Sequence, residues 1–184
     1  MKKEVEIPTG IEAEVSGNVV TMKAGGKEEK REFKAKKVKI SKKNGKIEVL
    51  GTDEKRKTNA LASTVASHIR NMAIGLETEY EYNLKAVYSH FPMSIKVEGK
   101  KVIISNFAGE KKPRVSQIVG ENTSVQIKGK DIVVRGTNKE KTAQTAANLE
   151  KIARVRKKDL RVFQDGIYLV KKGLAEVKGG EKND

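Results

Sequence analysis

Few side chains in this 184-residue chain are of a type and spacing that could carry out covalent chemistry. Cysteine is absent, which excludes disulfides, thiol nucleophiles and sulfur-ligated metal. His68 and His90 are the only imidazoles, and neither belongs to an H-E-x-x-H or comparable metal-binding spacing. His68 is expected to be structural or at the surface, and His90 to pack or hydrogen-bond at a domain junction. The carboxylates alternate with Lys and Arg as on a solvated face, and no motif pairs two of them for acid–base or metal-assisted work. Gly25-Gly26-Lys27 lacks the spacing and the strand-to-helix setting of a phosphate loop and reads as a hairpin turn. Asp53, after Gly51-Thr52, reads as a helix cap. No catalytic residue, metal site or cofactor is therefore expected, and the chain is not read as an enzyme.

Charge is the stronger signal. Lys and Arg number 39 against 24 Asp and Glu, a net charge of +15. Val and Ile recur almost to the end, so the excess belongs to a folded surface and not to a disordered tail. Such a field attracts polyanions, either nucleic acid or an anionic membrane. Lys151 to Lys172 is the densest stretch, carrying Lys151, Arg154, Arg156, Lys157, Lys158, Arg161, Lys171 and Lys172 against only Asp159 and Asp165. Within it Phe163 and Tyr168 bracket Gln164-Asp165-Gly166, so that one ring can belong to a core and the other to a ribose or base. A second patch, Gly109 to Gln117, sets Lys111, Lys112 and Arg114 around Pro113, which stiffens the loop. A third, Lys23 to Lys42, is interrupted by Glu28, Glu29 and Glu32. No helix-turn-helix, zinc finger, RNA-recognition aromatic pair or GXXG loop is present, so shape and backbone recognition is expected, which suits folded RNA. The alternatives are a DNA-compacting protein, an enzyme acting on RNA or a phosphorylated substrate, for which the sequence nominates no residue, and a module for acidic protein partners.

These patches sit on a duplicated scaffold. IEVLGTDEKRKTNALASTVASHI (Ile47 to Ile69) matches IVVRGTNKEKTAQTAANLEKIA (Ile132 to Ala153), with Thr58 opposite Thr142, and VVTMKAGG (Val19 to Gly26) matches VIISNFAG (Val102 to Gly109). In the first half, strands are expected over Ile11 to Ser16, Val19 to Lys23, Arg31 to Phe33, Lys37 to Ser41 and Lys46 to Leu50, with a turn at Lys43-Asn44-Gly45. A helix follows from Glu54 to Ile74, capped by Thr52 or Asp53 and stopped near Gly75, burying Leu61, Val65, Ile69 and Met72. The alternation of ETEYEYNLKAVY, residues 77 to 88, predicts a long strand. The second half repeats the plan with strands Met93 to Val97, Lys101 to Ser105, Val125 to Lys128 and Asp131 to Arg135, and a helix from Lys139 to Ala153. A hairpin around Asp165-Gly166 and a polar tail over residues 178 to 184 complete it. The fold class is α+β, a tandem duplication of a small domain whose antiparallel or mixed sheet is covered by one helix. Residues 1–83 form the first repeat and 84–184 the second. The opening MKKEVEIPTG has no apolar run behind it and no stretch approaches 18 apolar residues, so neither a signal peptide nor a membrane role is expected.

Three segments carry a resemblance. DLRVFQDGIYLVKKG (Asp159 to Gly173), LKAVYSHFP (Leu84 to Pro92) and the paired GTD and GTN helix starts resemble the ribosomal large-subunit protein six family, in its archaeal and eukaryotic-cytosolic branch. The likeness spans essentially the whole chain. It implies a structural constituent of the large ribosomal subunit in the cytoplasm, bound to ribosomal RNA near the sarcin-ricin loop and the stalk base. The implied partners are that RNA, neighbouring stalk-base proteins and translation factors, with no DNA and no membrane. It places RNA chiefly on the second domain, at the Lys111 to Arg114 loop and Arg156 to Lys172, with the first domain as a brace. The bacterial branch ends in a different Tyr-, Lys- and Gly-rich pattern, so its contacts do not transfer.

Overall fold

A computed structural model of the chain describes residues 2–43, 45–53, 55–156 and 158–175; Asn44 of the expected turn, Glu54 at the expected helix start, the candidate Lys157 and the tail over 178–184 lie outside the described residues. The chain divides into two compact units, Met1–Thr78 and Glu79–Asp184.

The first unit contains β1 (Lys2–Glu6), β2 (Glu12–Ser16), β3 (Val19–Ala24), β4 (Lys27–Glu32), β5 (Val38–Lys43), β6 (Lys46–Gly51) and α1 (Arg56–Glu77). They form two antiparallel sheets, β1-β6-β5 and β2-β3-β4. Gly25 and Gly26, both at positive φ, turn β3 directly into β4, the hairpin expected of them. Alternate strand residues such as Val5, Val20, Met22, Ile47 and Val49 meet the helix face Ala62, Val65, Ile69, Met72 and Ala73 in one core.

The helix departs from expectation at both ends. Neither suggested cap performs the role: the Thr52 hydroxyl donates to the Lys37 carbonyl at 3.1 Å, and the Asp53 carboxylate is engaged by Thr58 and held below its ordinary pKa by that bond. Lys55 stands at the N-cap position with no side-chain capping bond. Gly75 does not stop α1, because it is buried and Leu76 extends the apolar face beyond it; the chain turns extended at Thr78. Leu61, expected inward, is 44% exposed, since it lies one position off the face that Ala62 and Val65 define.

The second unit contains β7 (Tyr80–Val87), β8 (Ser94–Glu98), β9 (Lys101–Ser105), β10 (Arg114–Gln117), β11 (Thr123–Lys128), β12 (Asp131–Gly136), α2 (Lys139–Ile152) and β13 (Gly166–Leu174). Its sheets are β10-β9-β8 and β11-β12-β7-β13, again antiparallel throughout. The order β5-β6-β1 recurs as β11-β12-β7, and β2-β3-β4 as β8-β9-β10, so the duplication extends to strand order. Even the strand-to-helix junction repeats. Buried Thr58 and Thr142 pack against Gly51 and Gly136, where an added Cβ would stand 3.0 Å from Thr58 Cγ2 and 2.5 Å from Thr142 Oγ1.

Two additions break the symmetry. Where two glycines join β3 to β4, residues 106–113 join β9 to β10. After α2 the chain continues through 153–165 into β13, which lies on the edge of β7. The hairpin expected around Asp165-Gly166 is absent: residues 160–165 are turns and irregular chain, and β13 is one strand paired only with β7, shifted in register between Leu169 and Lys171.

Candidate nucleic-acid interface

Both additions carry the basic residues singled out in the sequence, and the fold brings them together. The β9–β10 connection leaves Asn106 and Ala108 at positive φ, passes through a short 3-10 turn at Phe107–Gly109, and presents exposed Lys111 and Lys112. Arg114, one of the candidate RNA contacts, fastens this connection to the end of α2. Its Nε and Nη2 donate to the two carboxylate oxygens of Glu110, the first at 2.8 Å. Its Nη1 donates to the Ile152 and Arg154 carbonyls at 2.6 and 2.9 Å, and the guanidinium lies 4.2 Å from the centroid of the buried Phe107 ring. This satisfies carbonyls left open at a helix C-terminus and places positive charge where the helix dipole favours it. The Arg114 guanidinium in turn holds the Glu110 carboxyl below the usual range.

Beyond α2, Val155 is buried in the core while Arg154, Arg156, Lys158 and Arg161 are exposed. Arg156 shares a cleft with Glu110 and Arg114, and Lys158 Nζ reaches the Ala108 carbonyl at 3.4 Å. Patches more than forty residues apart in sequence thus form one basic surface. Of its acids, Glu110 and Asp159 are exposed but engaged within the surface, Glu110 by Arg114, and Asp165 is buried. Asp159 Oδ1 accepts the Arg161 backbone N–H at 2.9 Å, and Asp165 is 2% exposed.

Asp165 anchors the segment. Its Oδ1 accepts the backbone N–H of Ser89 at 3.0 Å and the Ser89 hydroxyl at 3.2 Å, and His90 Nδ1 lies 3.5 Å away. Burial pushes its pKa up, but these bonds outweigh burial and hold the carboxyl below the usual range. Ser89 Oγ also lies 3.1 Å from His90 Nδ1. Hydroxyl and carboxylate therefore share one ring nitrogen, whereas a Ser-His-Asp relay needs them on opposite nitrogens. His90 lies at the surface of the second unit, its ring centroid 4.6 Å from that of Phe163, and Lys158 Nζ lies 4.5 Å from the Phe163 centroid.

Phe163 is half-buried against the core, whereas Tyr168 is 47% exposed. The Tyr168 ring folds over Gly166, and its hydroxyl donates to the Gln164 carbonyl at 2.9 Å. Lys171 and Lys172 follow on β13, opposite Asn83 and Tyr82. Sequence reasoning missed the Ser89–Asp165 anchor, 76 residues apart, for which only the buried destination of Asp165 is a signal. It also missed Glu150, whose carboxylate accepts the Leu169 N–H at 3.1 Å beside the register shift. In the first unit, part of the third patch is occupied internally: Lys42 donates to the Ala13 carbonyl at 2.9 Å, and Lys37 pairs with Asp53 at 3.7 Å.

Comparison with known proteins matches both units. The family model described as ribosomal protein L6 fits twice, over residues 7–78 and 91–166. The large ribosomal subunit protein uL6 of Methanocella arvoryzae is 46% identical over 171 residues, 92% of this chain and 96% of the relative. That of Methanococcus vannielii is 42% identical over 172 residues, 94% of each chain. That of Archaeoglobus fulgidus is 46% identical over 176 residues, 93% of this chain and 89% of the relative.

Proposed function

The chain belongs to the ribosomal protein L6 family, and from that membership we propose that its second unit is the principal holder of ribosomal RNA, gripping it close to the sarcin-ricin loop and the stalk base. The general role follows from the family: a structural, non-catalytic protein of the large ribosomal subunit that binds ribosomal RNA. The observation that carries the finer reading is the convergence of the 106–113 connection and the 154–161 segment on one basic surface, with Lys158 bridging to Ala108. Neither segment has a counterpart in the first unit, which shares the same strand order. A scaffold present twice needs no RNA to explain it; basic additions made to one copy do.

In this mechanism Lys111, Lys112, Arg154, Arg156, Lys158 and Arg161 neutralise phosphates, joined by Lys171 and Lys172 and by Lys157. Arginine adds a planar fork to phosphate oxygens. Arg114 positions the loop, Phe163 packs beneath Lys158, and Gln164 and Tyr168 meet a sugar or base. The first unit braces the assembly, and neighbouring stalk-base proteins and translation factors lie within reach of the bound protein. Hydroxyl-radical footprinting of large-subunit ribosomal RNA with the purified chain, at physiological salt and with competitor RNA, tests the assignment. A compact protected region at the sarcin-ricin loop and stalk base is expected; protection confined elsewhere overturns the location.

A further inference from the structure

Beside the basic surface, the second unit holds an open cleft of about 470 Å³. Lys151 in the last turn of α2 and Arg154 just beyond it line the cleft together with Leu160, Phe163, Gln164 and Tyr168. We infer that this cleft receives a single unstacked nucleotide of the bound RNA, its base against Tyr168 and Leu160 and its phosphate toward Lys151 and Arg154. The inference rests on the RNA-binding reading of this unit and deepens it, naming one unstacked base as what Tyr168 meets.

Size comes first. The volume lies within the roughly 300–1,000 Å³ of small-ligand clefts, which suits one nucleotide and not a duplex. The lining then selects the ligand. Leu160 is 54% and Tyr168 47% exposed, a large apolar area to leave in water beside two cations. Phosphate neutralisation alone accounts for the cations and leaves these side chains unexplained. An apolar and aromatic surface rimmed by Lys and Arg is how proteins hold single-stranded nucleotides, by stacking on the base while pairing the backbone charge.

Tyr168 is also fixed in place before anything binds. Ring atoms Cε2 and Cζ lie 3.1 Å from where a Cβ on Gly166 would stand, and the hydroxyl is tied to the Gln164 carbonyl. A ring held at both ends loses little freedom when a base stacks on it. The lining also holds two carboxylates, Glu150, which accepts the Leu169 N–H, and buried Asp165, which accepts from Ser89, and against them stand the cations Lys151 and Arg154.

The test uses the full chain bound to transcribed archaeal large-subunit ribosomal RNA, probed in parallel with hydroxyl radicals for the backbone and with dimethyl sulfate, kethoxal and carbodiimide for the base edges. The expected result is one isolated nucleotide within the backbone footprint whose base reactivity changes on binding. That change is lost in Tyr168→Leu and in Leu160→Ser, with affinity reduced about tenfold, in line with one stacked base, while the backbone footprint keeps its boundaries. Tyr168→Phe, which keeps the ring, restores the base signal. Should Tyr168→Leu lower the thermal midpoint, Leu160→Ser, at a half-exposed turn position, decides alone. Base reactivities that are the same for wild type and both variants, under an intact backbone footprint, overturn the inference and leave the RNA-binding reading standing; the cleft would then be open to a protein side chain instead. Absence of any footprint overturns both.

Discussion

Arg114 and Asp165 show how residue type underdetermines role. Each lies in a basic segment, and each is used for construction. Arg114 is 15% exposed at its side chain and ties Glu110, Ile152 and Arg154 together over the Phe107 ring. Arg114→Ala is expected to cost about 2–3 kcal/mol, the range of charge-assisted hydrogen bonds lost with their partners left behind. Arg114→Lys is expected to restore little of it, because one ammonium cannot replace a fork bonded in two directions. Urea unfolding of the full chain measures both, and full restoration by lysine would show that charge alone matters here. For Asp165 the folded-state pKa lies below its ordinary value, so the ionised carboxylate contributes stability that is present above the unfolded value of roughly 3.9. That contribution is lost as pH falls through the lower folded value. Asp165→Asn, which removes the titration, is expected to flatten the loss of unfolding free energy on acidification below about pH 4. An acid limb unchanged by the substitution would place the titrating group elsewhere.

At the scale of elements, the repeat was legible because its glycines and threonines do the same packing twice. The positions of β2, β3, β6, β9, β12 and α2 follow from alternation and from Gly-Thr-Asx starts that need no tertiary information. Asn138 caps α2 by accepting the Glu140 and Lys141 N–H groups, whereas the matching Asp53 is engaged by Thr58 and Lys37. The two starts differ by one residue, Thr58 lying five positions after Asp53 and Thr142 four after Asn138, so the N-cap position falls on Asn138 in α2 but on Lys55, two residues past Asp53, in α1. β1 and β10 were not read as strands, because KKEVE and RVSQ are short and polar and take their strand state from the partners β6 and β9. The supposed hairpin at 160–171 failed because burial of Asp165 against Ser89 consumes the turn signal. The glycine pair is testable. Gly136→Ala puts a Cβ 2.5 Å from Thr142 Oγ1 and 2.9 Å from the Asn122 backbone oxygen, an overpacking expected to cost about 1–3 kcal/mol. Gly51→Ala meets the Thr58 methyl at 3.0 Å, with the next nearest atom at 3.4 Å, and is expected to cost less. Thermal unfolding of the two variants side by side checks the order.

For the whole molecule, charge and architecture lead to one consequence. Each unit has a core of its own, so the exposed cations of the second unit are not needed to hold its fold together. Arg156, Lys158 and Arg161 are exposed; Lys158 meets the Ala108 carbonyl and the Phe163 ring, Arg156 and Lys158 lie in the field of Glu110, and the bond from Arg161 to Asp159 is made by its backbone N–H, which substitution keeps. Replacing all three with Gln is expected to leave the circular-dichroism spectrum intact and to weaken RNA binding. The salt dependence then identifies the cause. Release of counterions from six to ten phosphates lowers affinity by roughly three to five powers of ten between 50 and 200 mM salt, and each phosphate contact removed reduces the log–log slope by roughly 0.9 on duplex and 0.7 on single-stranded regions. The triple variant is thus expected to lose up to about three contacts' worth of slope as well as affinity. Affinity lost at an unchanged slope would mean that these residues position the RNA without neutralising it, and a wild-type interaction indifferent to salt would remove the electrostatic basis of the proposed grip.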